Sequence, residues 1–264
     1  MVELQVVLPD ESASMDPQRP AEIAVAAEEL GYGAAWLPDH LLPPAPFGTT
    51  YGGVYEPLVT LAYLAARTSR IRLGTSVLVL PMRSPYVVAK QAATLHRLSG
   101  ERVILGIGAG WDAAEFAAVG ADFSGRGRRT DEGLEVLRTL FSGEHAGGVF
   151  EPRPRAPIPI MVGGTSERAL RRAALLGDEW QGVGLDEPRF TRAVTRLREL
   201  TDRPIKVGTR LEWTGGEAQL GRAVQSAHDL VAAGAEALAV WFGDEQGAER
   251  RLERFRSVAD SLTT

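Results

Sequence analysis

The chain has 264 residues, 44% hydrophobic and 24% charged, with a formal net charge of -5 and no cysteine. This composition supports one globular unit with a sizeable core, excludes disulfides, thiolate nucleophiles and sulfur-ligated metal centres, and disfavours nucleic acid as a partner. No stretch approaches the roughly 20 apolar residues of a membrane span, and the apolar run 2–8 lacks a basic flank and stops at Pro9-Asp10, so it reads as a strand rather than a leader, with the cytoplasm as the default location.

Short β-rich runs then alternate with longer amphipathic segments, the pattern of a parallel sheet with crossover helices. In chain order, strands are predicted at 2–8, 34–37, 71–79, 102–107, 158–162, 179–182, 205–211 and 237–242. Helices are predicted at 19–30, 57–67, 86–98, 128–141, 166–176, 187–200, 217–233 and 246–262. These units fit a closed (β/α)8 TIM barrel, one α/β domain over residues 1–264, with an open doubly wound sheet as the alternative. Gly31, Gly177 and Gly234 follow their helices where a left-handed cap would end them. Ala248, Leu252, Phe255, Val258 and Leu262 recur at helical spacing and should face the barrel. The Pro-rich run 151–159 is too short to separate domains.

In such a barrel, chemistry belongs where strands end on the carboxyl side, and five places qualify. Trp36-Leu37-Pro38-Asp39-His40 offers an imidazole that exchanges a proton near neutral pH, with an adjacent carboxylate either to set its tautomer or, pointing to the other side of an extended chain, to bind backbone or cofactor; a loop-closing histidine is an equal reading. Gly74-Thr75-Ser76-Val77 offers small hydroxyl residues beneath a planar ring, or core hydroxyls bonded to nearby carbonyls. Gly106-Ile107-Gly108-Ala109-Gly110-Trp111 marks a tight turn or a close backbone approach to a ligand, with Trp111 as a wall or as packing. Its glycine spacing does not complete a dinucleotide fingerprint. Val162-Gly163-Gly164-Thr165-Ser166 reads as strand, turn and helix start, where free amides meet an anion; Arg168, Arg171 or Arg172 would add charge. Finally, Trp180, in the run 177–182, would line the same cavity. Arg126, Arg128 and Arg129 read as a solvated helix face. His96 reads as a surface helix position, His145 and His228 have no ligand-spaced partner, and no metal site is expected.

Trp36-Leu37-Pro38-Asp39-His40, Arg72-Leu73-Gly74-Thr75-Ser76-Val77, Ala89-Lys90-Gln91, Leu98-Ser99-Gly100-Glu101-Arg102, Gly108-Ala109-Gly110-Trp111 with Glu115-Phe116, Arg126-Gly127 and Val162-Gly163-Gly164 occur in that order. The set resembles the luciferase-like monooxygenase superfamily, and more narrowly its coenzyme F420-dependent oxidoreductases, over roughly residues 1 to 182. The resemblance implies a bacterial-luciferase-like barrel whose cofactor ring lies over the second to fourth strands and whose phosphate reaches the glycine turn after the fifth. His40 would be catalytic and face the reacting substrate atom. The cofactor would be held by Asp39, Thr75, Ser76, Val77, Gly108, Gly110, Trp111, Gly163, Gly164, Thr165 and Trp180, with a non-prolyl cis peptide at Ser76-Val77. The implied activity is hydride transfer between the deazaflavin and a small organic substrate. A reduced-FMN and dioxygen monooxygenase is the first rival, a non-catalytic flavin-binding protein the second, and a homodimer is the implied assembly. Three departures stand out. Relatives that oxidise sugar phosphates carry glutamate where this chain has Trp111; Glu101 replaces a glycine, which reads as a surface change; and the chain leaves little room for a roofing insertion, which implies an open site or a lid from a second subunit.

Overall fold

The computed structural model describes residues 2–10, 12–42, 53 and 55–259. Its strands are β1 (Glu3–Val7), β2 (Ala34–Leu37), β3 (Arg72–Thr75), β4 (Leu78–Val79), β5 (Val103–Gly108), β6 (Ile160–Gly163), β7 (Glu179–Gly182), β8 (Lys206–Glu212) and β9 (Ala237–Trp241). All are parallel, in the order β3-β2-β1-β9-β8-β7-β6-β5-β4, and a further β3–β5 pairing closes the ring. β3 and β4 are halves of one barrel strand. β5 pairs first with β3 (Leu73 opposite Val103, Gly74 opposite Ile104) and then with β4 (Leu78 opposite Ile107, Val79 opposite Gly108). Eight barrel positions result, so the fold is a (β/α)8 TIM barrel and the open-sheet alternative falls. The strand predicted unbroken over 71–79 is interrupted at Ser76-Val77, whose peptide is cis.

The helices are α1 (Arg19–Glu29), α2 (Pro57–Arg67), α3 (Pro85–Leu98), α4 (Ala113–Ala118), α5 (Arg126–Ser142), α6 (Glu167–Leu176), α7 (Glu187–Leu200), α8 (Glu217–Ala232) and α9 (Ala248–Ala259). Several starts follow from local chemistry: Glu56, Ser166 and Asp186 each accept a first-turn N–H, and Pro57 and Pro85 open α2 and α3. α4 was not predicted, because six residues are too few to show a helical period. Gly31 (φ +80°) and Gly234 (φ +98°) are left-handed as expected, whereas Gly177 is extended at φ -92°. Glu101 is no neutral surface change. It holds φ +69°, and its carboxylate accepts the N–H groups of Arg155 and Ala156, tying the Pro-rich run to the barrel.

Strand parity divides the core into two layers. Leu4, Val6, Leu37, Leu73, Val103, Leu105, Ile107, Ile160 and Val162 face the helices, where Ala248, Leu252 and Phe255 of α9 also bury; Leu262 lies outside the described residues. Val7, Ala34, Trp36, Ile104, Met161 and Ala239 fill the barrel interior. Trp36 crosses that interior over Gly74, where a Cβ would lie 2.3 Å from its ring, and donates its indole N–H to Gln5 at 2.8 Å. The lower interior is thus plugged, leaving the carboxyl-end mouth open. No helix among the described residues is long and apolar enough to cross a membrane.

Candidate active site

A cavity of about 410 Å³ opens at that mouth, within the usual range for a small-molecule pocket. The ends of β2, β4, β5, β6, β7 and β8 border it, together with the first turns of α5 and α6. On one side stands His40, whose Nδ1 lies 3.0 Å from Glu115 Oε2; both side chains are almost fully buried. Oε1 of Glu115 accepts the backbone N–H groups of Leu41 (2.6 Å) and Leu42 (3.0 Å). Trp111 meets the His40 ring edge-on, centroids 5.9 Å apart. The neighbouring Asp39 does not touch the imidazole. Its carboxylate accepts the Val79 N–H at 2.8 Å and an Arg83 N–H at 2.7 Å. Burial holds Asp39 above the usual carboxylate range, with Arg83 and the Val79 N–H opposing and Glu56 adding to the rise.

The floor is built around the cis peptide. Gln181 Oε1 accepts from Ser76 Oγ at 2.6 Å and from Arg210 Nε at 3.2 Å, while the Arg210 guanidinium also donates to the Ser76 carbonyl. The Val77 side chain sits in a slot between two glycines: a Cβ would come within 2.3 Å of it at Gly108 and 2.5 Å at Gly163. Those glycines therefore make room for a side chain as well as for any ligand.

The opposite side is cationic. α5 starts without a side-chain cap and α6 starts from Ser166, so two helix amino termini, each with its partial positive charge, point into the cavity. Arg126, Arg168 and Arg172 line this end. Arg126 lies 3.8 Å above the Phe123 ring and donates to the Gly110 carbonyl at 3.2 Å; Arg172 is paired with Asp131 and donates to the Gly127 carbonyl at 3.0 Å.

Asp39, His40, Ser76, Val77, Gly108, Gly110, Trp111, Gly163 and Gly164 all lie on the wall, and Thr75, Thr165 and Trp180 do not. Parity accounts for two of these. Arg72 and Gly74 point inward, so Thr75 points outward and donates to the Gly106 carbonyl at 2.7 Å. Glu179 and Gln181 point inward, so Trp180 stacks on Phe190 of α7 and donates to the Gly164 carbonyl. Thr165 is exposed, and the capping is done by Ser166, which accepts from Ala169. Arg171 is occupied with Glu167, whereas Arg126, read as solvated, is a wall residue. His96 is buried, bonded to the Val103 N–H and near the Ala156 carbonyl. Glu115, Gln181 and Arg210 were missed. The last two carry a readable signal, polar side chains at inward parity near strand ends, while Glu115 needed the unpredicted α4. Among the described residues, no group of three His, Asp or Glu could hold a metal ion.

Residues 3–261 match the luciferase-like monooxygenase family. An F420-dependent glucose-6-phosphate dehydrogenase of Kineococcus radiotolerans is 36% identical over 188 residues, which is 64% of this chain and 54% of that protein. Two solved structures share the fold: monooxygenase RslO1 from Streptomyces bottropensis (TM-score 0.81, 18% identity, 100% of both chains) and an F420-dependent secondary alcohol dehydrogenase in complex with an F420-acetone adduct (TM-score 0.81, 16% identity, 97% and 98%). With its barrel, its bisected third strand and a family match running over nearly its whole length, the chain belongs to the luciferase-like monooxygenase family of oxidoreductases.

Proposed function

We propose that this protein is a coenzyme F420-dependent oxidoreductase acting on a small organic substrate. The carrying observation is the cationic end of the cavity: Arg126, Arg168 and two helix starts converge there, beside Arg172 in its pair with Asp131, with His40 on the facing wall. A single FMN phosphate needs one such helix start, whereas the phosphodiester and the several carboxylates of F420 call for more positive charge. The donor set and the cavity volume fit a ring cofactor with an anionic tail. When bound, the deazaflavin supplies the carbon that gives or accepts hydride. The chain's own part is to seat the tail on Arg126, Arg168 and the α6 start, to support the ring from Ser76-Val77 and Gln181, and to exchange the accompanying proton at His40. Trp111 gives the substrate side an aromatic wall, which suits a less charged substrate than a sugar phosphate. The family also includes monooxygenases, so FMN with dioxygen is the reading to be tested against.

The experiment is equilibrium binding of the purified protein to F420 and to FMN, followed by ring fluorescence. F420 should bind more tightly, and Arg168→Ala should weaken it about 10- to 100-fold, the scale of a lost charge-assisted hydrogen bond. His40→Gln should leave binding unchanged while lowering turnover by about 10²–10⁴-fold, the usual contribution of a general acid-base group. Tighter binding of FMN would replace this reading with the monooxygenase, and binding of neither would sink both.

A further inference from the structure

We propose that Glu115 is a positioning residue for His40: it fixes which imidazole nitrogen carries the proton, and α4 is the element that delivers it. The inference rests on the reading that His40 exchanges the proton, and it assigns the device that readies it.

An ionised carboxylate only accepts hydrogen bonds. At 3.0 Å from Glu115 Oε2, Nδ1 must therefore be the protonated nitrogen of the neutral ring, which makes Nε2 the basic one. The other oxygen, Oε1, is committed to the Leu41 and Leu42 N–H groups, so one side chain sets the tautomer and clamps the chain just beyond the histidine. That clamp holds a stretch whose own side chains contribute little, since Leu41 and Leu42 are both exposed. Trp111 bounds the imidazole in an edge contact, leaving the ring less freedom to turn away from the carboxylate.

The carriage of Glu115 is rigid. α4 has Asp112 at its start, accepting the Ala114 N–H, and is pinned by Phe116, buried 5.3 Å from the Phe123 ring. Phe116 fits only because position 110 is glycine, where a Cβ would lie 2.6 Å from its ring. The Gly110 turn thus serves two purposes, bringing Trp111 to the ring edge and letting α4 fold back under His40. Asp39, the carboxylate adjacent in sequence, is turned the other way to Val79 and Arg83 and has no part in this.

The discriminating variant is Glu115→Gln. Its side chain keeps the size and keeps a carbonyl oxygen for the Leu41 and Leu42 N–H groups, but it presents an NH₂ group to Nδ1. That donor makes Nδ1 an acceptor and moves the proton to Nε2. In ¹⁵N-labelled protein without cofactor, at alkaline pH, long-range ¹H–¹⁵N correlation spectra resolve the tautomers of the four histidines, and His40→Gln assigns the relevant pair. The expected result is Nδ1–H in the unaltered protein, Nε2–H in Glu115→Gln, and an unbiased mixture in Glu115→Ala, with F420 binding unchanged. A purely structural Glu115 would leave the tautomer the same in the unaltered protein and in Glu115→Gln, and that result overturns the proposal. So does Nε2–H in the unaltered protein, a reading that needs no variant to fold. Failure to bind F420 would remove the proposed cofactor while leaving the tautomer result standing, so the two ideas fail separately.

Discussion

Val77 is the residue on which the floor of the cavity turns. Its methyls sit where Cβ atoms of residues 108 and 163 would otherwise be, and valine has one side-chain torsion with which to escape. Gly108→Ala therefore forces a shift, at the about 1–3 kcal/mol typical of overpacking. Val77→Ala alone removes the half-buried methyls packed in that slot and also destabilises. The double substitution should cost clearly less than the sum, since each change relieves the other, and the urea midpoints of the four proteins measure that coupling. Strict additivity would show that the slot does not constrain Val77. At this scale the sequence was legible where a motif reports a backbone need: the glycines at 108, 110, 163 and 164 and the pair Asp39-His40 all reach the wall. Parity turns Thr75 and Trp180 away from the wall, and of the two readings open for Asp39, on the imidazole or on backbone, the structure shows the backbone one. The carboxylate on His40 comes from position 115, not 39.

Among the elements, the link from α2 into β3 is stitched by a residue of another element. Glu28, near the end of α1, accepts the N–H groups of Ser69, Arg70 and Ile71 and the Ser69 hydroxyl. Burial works against its charge, but the three N–H groups and the hydroxyl more than offset it and pull its pKa from 4.5 to about 2. A depressed carboxylate stabilises the fold fully above its unfolded value and loses that contribution as pH falls through its folded one. Stability should thus drop between pH about 4.5 and about 2 through this group, and Glu28→Gln should flatten the curve in that window while lowering stability at neutral pH. Urea unfolding across that range measures it, and parallel curves for the two proteins would refute the assignment. The helices and most strands were legible because long periodic segments carry their own signal. The six-residue α4 was not, since it depends on a packing contact between Phe116 and Phe123; the third strand reads as unbroken over 71–79, although the cis peptide at which it splits, Ser76-Val77, is the one the family resemblance implies.

The whole molecule depends on ring closure, and the amino-terminal end of the barrel shows how charges help. Arg72 of β3 reaches Glu3 of β1 at 2.5 Å and Glu179 of β7 at 3.2 Å, and Lys206 of β8 reaches Glu3 at 2.8 Å. Strands distant in sequence are thereby joined inside the barrel, beneath the Trp36 plug, in a site where every partner is under a third exposed. Burial disfavours the charges of both Glu3 and Arg72, but Arg72 and Lys206 outweigh it at Glu3 and hold its pKa below the ordinary carboxylate value, and Glu3 and Glu179 outweigh it at Arg72 and raise its pKa. Nothing in the local sequence announces such a cluster, because its pairs lie 69, 107 and 203 residues apart. Arg72→Met should cost about 2 kcal/mol at neutral pH, between the 0–1 kcal/mol of an exposed pair and the 3–5 kcal/mol of a fully buried one. The loss should shrink as pH falls through the carboxylate range, because the cluster's contribution exists only while Glu3 is ionised. Adding Glu179→Gln to Arg72→Met should recover much of it, since Glu3 keeps Lys206 while the charge of Glu179 has lost Arg72, and a buried charge without its partner costs more than a neutral side chain of the same shape. Urea unfolding of the three proteins at neutral and acidic pH decides the matter. If the double variant is no more stable than Arg72→Met, the arginine acts through packing of its stem rather than through Glu179.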